Sequence, residues 1–115
     1  MAAPEAFNDA VRQVAAFCEH QISDEARSQL TLDYALRGNS TTIIERRASW
    51  NDPSGANWTS LKVAQLRYDE QTPTWALYAC DRNERWFAYN DVPPAGDVGP
   101  LLAEIAKDPT GIFWG

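Results

Sequence analysis

A chain of 115 residues that is 44% hydrophobic fits one domain with a core of its own, which excludes intrinsic disorder and any need for disulfide or metal staples. The net charge of −6 is unevenly spread: residues 30–89 hold seven bases against seven acids, and each flank carries −3. That balance argues against nonspecific nucleic-acid binding, which needs an excess of basic charge. It leaves room for a local patch, because eight of the ten bases are Arg, whose planar fork grips a carboxylate or phosphate bidentately.

In chain order, residues 4–20 read as an amphipathic helix, with Phe7, Val11, Val14, Ala15 and Cys18 on one stripe and Pro4 suited to its first turn. Ser23 followed by "DEARSQ" offers a cap with acids after it, so a short second helix is expected there. From residue 30 the period becomes two. "LTLDYALR" alternates Leu30, Leu32, Tyr34 and Leu36 against Thr31, Asp33, Ala35 and Arg37, which is a strand with one packed and one wet face. Gly38-Asn39 reads as a hairpin turn and "TTIIERRASW" as the returning strand. "NDPSGANW" is a loop by composition, and "SLKVAQLRY", "TWALYACD" and "RWFAY" supply three more strands. The connections are too short for crossover helices, so an antiparallel meander of five strands is expected. Asp97 can cap a last helix running to about Lys107, with Val98, Leu101, Leu102 and Ile105 on one stripe and Pro109 ending it. Ile112, Phe113 and Trp114 are too apolar for a solvated tail and are expected to dock onto the core. The fold class is α+β in a single domain, residues 1–115.

Cys18 and Cys80 form no CxxC pair and have no histidines at zinc spacing, so both read as small buried hydrophobes. His20 is the one histidine and has no nucleophile in a recognisable context. Neither a glycine-rich phosphate loop nor any cofactor motif is present. The start, "MAAPEAFNDAVRQV", lacks a basic segment followed by an apolar run, and nothing approaches a membrane span. A soluble, cytoplasmic protein without membrane contact is the expectation.

The succession "QLTLDYALRGNSTTIIERRASWND", "VAQLRY", "TWALYACDRNERWFAY" and "DPTGIFWG" resembles the small bacterial proteins grouped as domain of unknown function 3024. That pattern falls here on Glu45, Arg47 and Trp50, then Arg67 and Tyr68, then Trp75, Leu77, Tyr78, Trp86 and Tyr89, then Asp108, Pro109, Gly111, Phe113 and Gly115. Family members often carry a basic residue at the position of Asp81 and a His at that of Phe87. The resemblance implies a fold and a set of recurring residues, and no activity.

Glu45-x-Arg47 is the first candidate for chemistry, since the two side chains of such a pair point the same way on a strand. A three-residue loop at Gly38 sets Asp33 opposite Glu45 and puts Ile44 and Trp50 on the face of Leu32, Tyr34 and Leu36; a two-residue loop reverses the faces. The same residues could instead be a lattice of cross-strand ion pairs. The second candidate is an aromatic and guanidinium surface drawing on Trp50, Trp58, Tyr68, Trp75, Tyr78, Trp86 and Tyr89 with Arg46, Arg67, Arg82 and Arg85. The reading that follows is a non-enzymatic binding module. Its ligand residues are Glu45, Arg47, Trp50, Trp58 and Arg67, no catalytic or metal-binding residue is assigned, and its partner is a protein or a small anionic ligand. Two alternatives stand beside it. One is a metal-dependent phosphodiesterase or nuclease using Asp33, Glu45 and Lys62; the other is a self-associating subunit, a homodimer joined through an edge strand or the apolar tail.

Overall fold

The computed structural model describes residues 4–27, 29–48 and 58–114. Helix α1 (Pro4–Gln21) is followed by a single 3₁₀ turn (Asp24–Ala26), then by strands β1 (Leu30–Arg37), β2 (Ser40–Arg47), β3 (Thr59–Asp69), β4 (Thr74–Cys80) and β5 (Trp86–Ala88), and by helix α2 (Gly99–Lys107). The five strands form one antiparallel sheet in sequence order, as the short connections require. Among the described residues, no helix is long and apolar enough to cross a membrane.

Both helices pack on one side of the sheet. Ala10, Val14 and Cys18 of α1 and Leu101, Leu102 and Ile105 of α2 close over Leu32, Ile43, Ala64, Leu66, Trp75, Leu77 and Ala79. Each aliphatic side chain fully buried there contributes about 1.5–3 kcal/mol. Asp97 joins the two helices: one carboxylate oxygen accepts the Gly99 amide at 3.0 Å and the other accepts the Gln13 side-chain amide at 2.6 Å. It stands just ahead of the Val98 cap position, so the residue expected to cap α2 does satisfy an orphan amide of its first turn. The tail docks as expected, with Phe113 buried against Tyr89 and the Trp114 indole N–H donating to the Ile105 carbonyl at 2.7 Å.

Two local features decide which side chains share a face. The β1–β2 loop has two residues, so Arg37 pairs with Ser40 and Leu32 with Glu45. The three-residue reading, which set Asp33 against Glu45, is thereby overturned. Gly38 at φ +58° supplies the left-handed first turn residue, and Asn39 closes the turn at an ordinary φ, the pattern of a type II′ hairpin. Next, β3 holds one extra residue, Val63, where the register shifts between Ile43 and Ile44. Without that bulge Lys62 would lie opposite Glu45; with it, Lys62 lies opposite Ile44 and Glu45 faces Leu61.

Candidate functional site

Because paired residues share a face, the structure separates the expected site residues into two groups. Glu45 and Arg47 sit on the helix side of β2, opposite Leu32 and Leu30 of β1, and Arg67 lies on the opposite face. Trp58 is half-buried just ahead of β3. Trp50 lies outside the described residues, as does most of the loop that carries it.

Glu45 is only 6% exposed, and its Oε1 accepts the Arg47 Nε–H at 2.5 Å. Arg47 is more than half exposed and lines a groove of about 450 Å³ with Glu25, Gln29 and Leu30. A carboxylate withdrawn this far from water needs a guanidinium beside it, and Arg47 supplies one. Leu61, across the strand from Glu45, is 57% exposed, so the burial of the helix-side face fades from β2 to β3 at this level.

No described helix covers the other face. There Gln65 links β3 to β2 and steadies its own strand neighbour: its Nε2 donates to the Thr42 hydroxyl at 2.9 Å and its Oε1 accepts the Arg67 Nε–H at 2.6 Å. Arg67 sits over Tyr78, its guanidinium carbon 3.9 Å from the ring centroid. The register sets Gln65 against Tyr78 and Arg67 against Ala76, so the small alanine leaves room for the guanidinium to reach the neighbouring ring. The same face carries Arg37, Arg46 and Lys62, with Asp33 and Asp69 as its acids; Asp33 and Arg46 form an exposed pair at 3.5 Å. Four bases against two acids make this the basic side of an acidic protein. Arg67 and Tyr78 also border a concavity of about 880 Å³ with Asn39, Asp69, Glu70 and Thr74.

Asp33 and Glu45 thus point to opposite faces, and the two-carboxylate site of the phosphodiesterase reading is not assembled by this backbone. Among the described residues, no three of His, Cys, Asp and Glu gather as metal ligands. Asp81 is engaged in its turn, one oxygen accepting the Asn83 and Arg85 amides at 2.8 and 2.9 Å. Gln65 and Thr42 are the residues that sequence reasoning missed. The signal for them was the alternation Gln65-x-Arg67, legible only once β2 and β4 are known to flank it.

Cys18 is buried against the Asp33 carbonyl, and burial, with Asp33 adding to it, pushes its thiol from 9.0 up to about 12. Burial, together with the hydrogen bond to Glu104, also raises the Tyr89 phenol, whose O–H donates to the Glu104 carboxylate at 2.8 Å. Both groups are held neutral in the fold and ionise earlier in the unfolded chain. Their contribution is therefore complete below about pH 9 and is lost as pH rises toward 12. Urea denaturation across that range is expected to show falling stability, and Cys18→Ala to flatten the slope. An unchanged slope in the variant would remove Cys18 as its origin.

Searches of curated proteins and of solved structures return no significant match. A family model does match, over residues 3–115, and by that coverage of essentially the whole chain this protein belongs to the family described as Domain of unknown function (DUF3024).

Proposed function

We propose that this protein is a small non-enzymatic binding module whose ligand surface is the open sheet face, with Arg67 as its anchor. The observation that carries this reading is an arginine oriented in advance. Gln65 holds its Nε–H, the Tyr78 ring lies against its guanidinium, and among the described residues no carboxylate forms an ion pair with it, although it borders a concavity of about 880 Å³. A guanidinium fixed this way loses little freedom when its terminal N–H groups take an anion. Asp69 and Glu70 on the rim repel a polyanion. The ligand class is therefore one carrying a single carboxylate or phosphate, such as a side chain or C-terminus of a partner protein. The family resemblance makes the bacterial cytoplasm the place to look for it.

The test is a nuclear magnetic resonance titration with inorganic phosphate and with a short peptide bearing one free C-terminal carboxylate. Shifts are expected at Gln65, Arg67, Ala76 and Tyr78. Arg67→Ala should abolish them, and Arg67→Lys, which keeps the charge but loses the fork, should weaken binding roughly tenfold. If Arg47→Ala abolishes binding while Arg67→Ala leaves it intact, the site belongs to the Glu45–Arg47 pair on the other face. No response to either probe at the Arg67 face would refute the reading.

A further inference from the structure

β1 closes the sheet with an edge of eight residues that is unpaired among the described residues and contains neither proline nor glycine, whereas the other edge, β5, is three residues long. The neighbouring ladder reveals which of its backbone groups point outward. The Asn39 carbonyl accepts the Tyr68 amide at 2.9 Å, so the odd-numbered residues of β2 turn toward β3 and the even-numbered ones toward β1. Asp33, Ala35 and Arg37, opposite those even residues, direct their N–H and C=O groups inward, and Leu32, Tyr34 and Leu36 direct theirs out of the sheet. The outward half of this strand is bare as well. Tyr34 is 37% and Leu36 50% exposed, while α1 reaches β1 through Cys18 and Ile22 near Thr31–Asp33.

We propose that two copies of this chain pair antiparallel through β1, about a two-fold axis at Ala35, into one continuous sheet with five strands from each copy. Two outward-facing residues must oppose each other for the edge bonds to form, so the axis must pass through a residue position. Centring on Asp33 stacks two carboxylates, and centring on Tyr34 leaves Arg37 opposite Thr31. Centring on Leu36 sets Arg37 against Ala35. Only the Ala35 register places Asp33 opposite Arg37 and Tyr34 opposite Leu36, each twice, with the small alanines meeting at the axis. Arg37 has no ion-pair partner among the described residues, and Asp33 is bridged to Arg46 only by an exposed contact, so both can engage across the new ladder. The axis runs perpendicular to the sheet, so the open faces of the two copies lie side by side. This pairing does not rest on the ligand reading.

Sedimentation equilibrium on the full chain tests it. The wild type should form a concentration-dependent dimer. Arg37→Asp and Asp33→Arg should each sediment as monomers, because each sets like charges opposite one another. Mixing the two variants restores both attractions, and a one-to-one heterodimer should form in the mixture alone. Leu36→Lys, at a half-exposed position that cannot disturb the core, should also yield a monomer with native circular dichroism. A wild type that remains monomeric, or a dimer that survives Arg37→Asp, overturns the proposal, as does a mixture that fails to associate.

Discussion

Replacing Trp75 with alanine is expected to destabilise the fold by about 3–5 kcal/mol, a large share of the roughly 5–15 kcal/mol that holds a domain of this size together. Trp75 is 1% exposed and lies between two rings, with the centroid of Tyr68 at 5.0 Å and that of Phe7 at 5.6 Å. Its backbone exchanges two hydrogen bonds with Ala95, at 2.7 and 3.0 Å, which fixes the segment leading into α2 against β4. One residue therefore joins α1 and the β3–β4 hairpin through its ring and the approach to α2 through its backbone. Trp75→Phe keeps a ring between Phe7 and Tyr68 and leaves a smaller void, so a loss of roughly 1–3 kcal/mol is expected. Urea denaturation followed by far-ultraviolet circular dichroism gives both values. A Trp75→Ala protein within about 0.5 kcal/mol of wild type would show that the three elements are held together elsewhere.

Most of this architecture was legible because the hydrophobic period changes where the elements change. The shift at Leu30 from a helical to an alternating pattern marked β1, and the stripe Val98, Leu101, Leu102 and Ile105 identified the buried side of α2 without error. The candidate site was far less legible, for a specific reason. Alternation shows that Glu45 and Arg47 share a face, but which face depends on whether the Gly38 loop holds two residues or three. Nothing local decides this: Gly-Asn suits either loop, and Ile43 and Ile44 offer an apolar side chain to each face. The Val63 bulge makes a second shift of the same kind, moving Lys62 away from Glu45. Two single-residue uncertainties were enough to hide which residues of β1 and β3 lie beside Glu45. The packed face of β1 was misjudged for a different reason. Tyr34 and Leu36 follow the apolar alternation, yet α1 covers only the start of that strand, and reading a single strand's pattern does not give the length over which a helix lies on it.

Asp108 carries the second large effect, and its position explains why the acid in "DPTGIFWG" is structural. Asp108 ends α2 in the left-handed conformation, at φ 44° and ψ 56°, which Asp tolerates better than most residues. From there one carboxylate oxygen accepts the Phe113 amide and the other the Trp114 amide, both at 3.0 Å. Those bonds turn the chain back so that Phe113 meets Tyr89, at 5.0 Å between centroids, and the Trp114 indole reaches the Ile105 carbonyl. Hydrogen bonds to a charged acceptor are worth about 1.5–3 kcal/mol each, and part of that returns when the released amides reach water. Asp108→Ala is therefore expected to lose about 2–4 kcal/mol and to expose the Phe113 and Trp114 amides to rapid hydrogen exchange. Asp108→Gly separates the causes, since it relieves the backbone but removes the carboxylate. It should match the alanine variant if the hydrogen bonds dominate and approach wild type if the left-handed residue does. Asp108→Asn keeps the size and one good acceptor, and should fall between alanine and wild type. Protected Phe113 and Trp114 amides in Asp108→Ala would mean that Phe113 packing alone holds the tail, and would remove the carboxylate as its anchor.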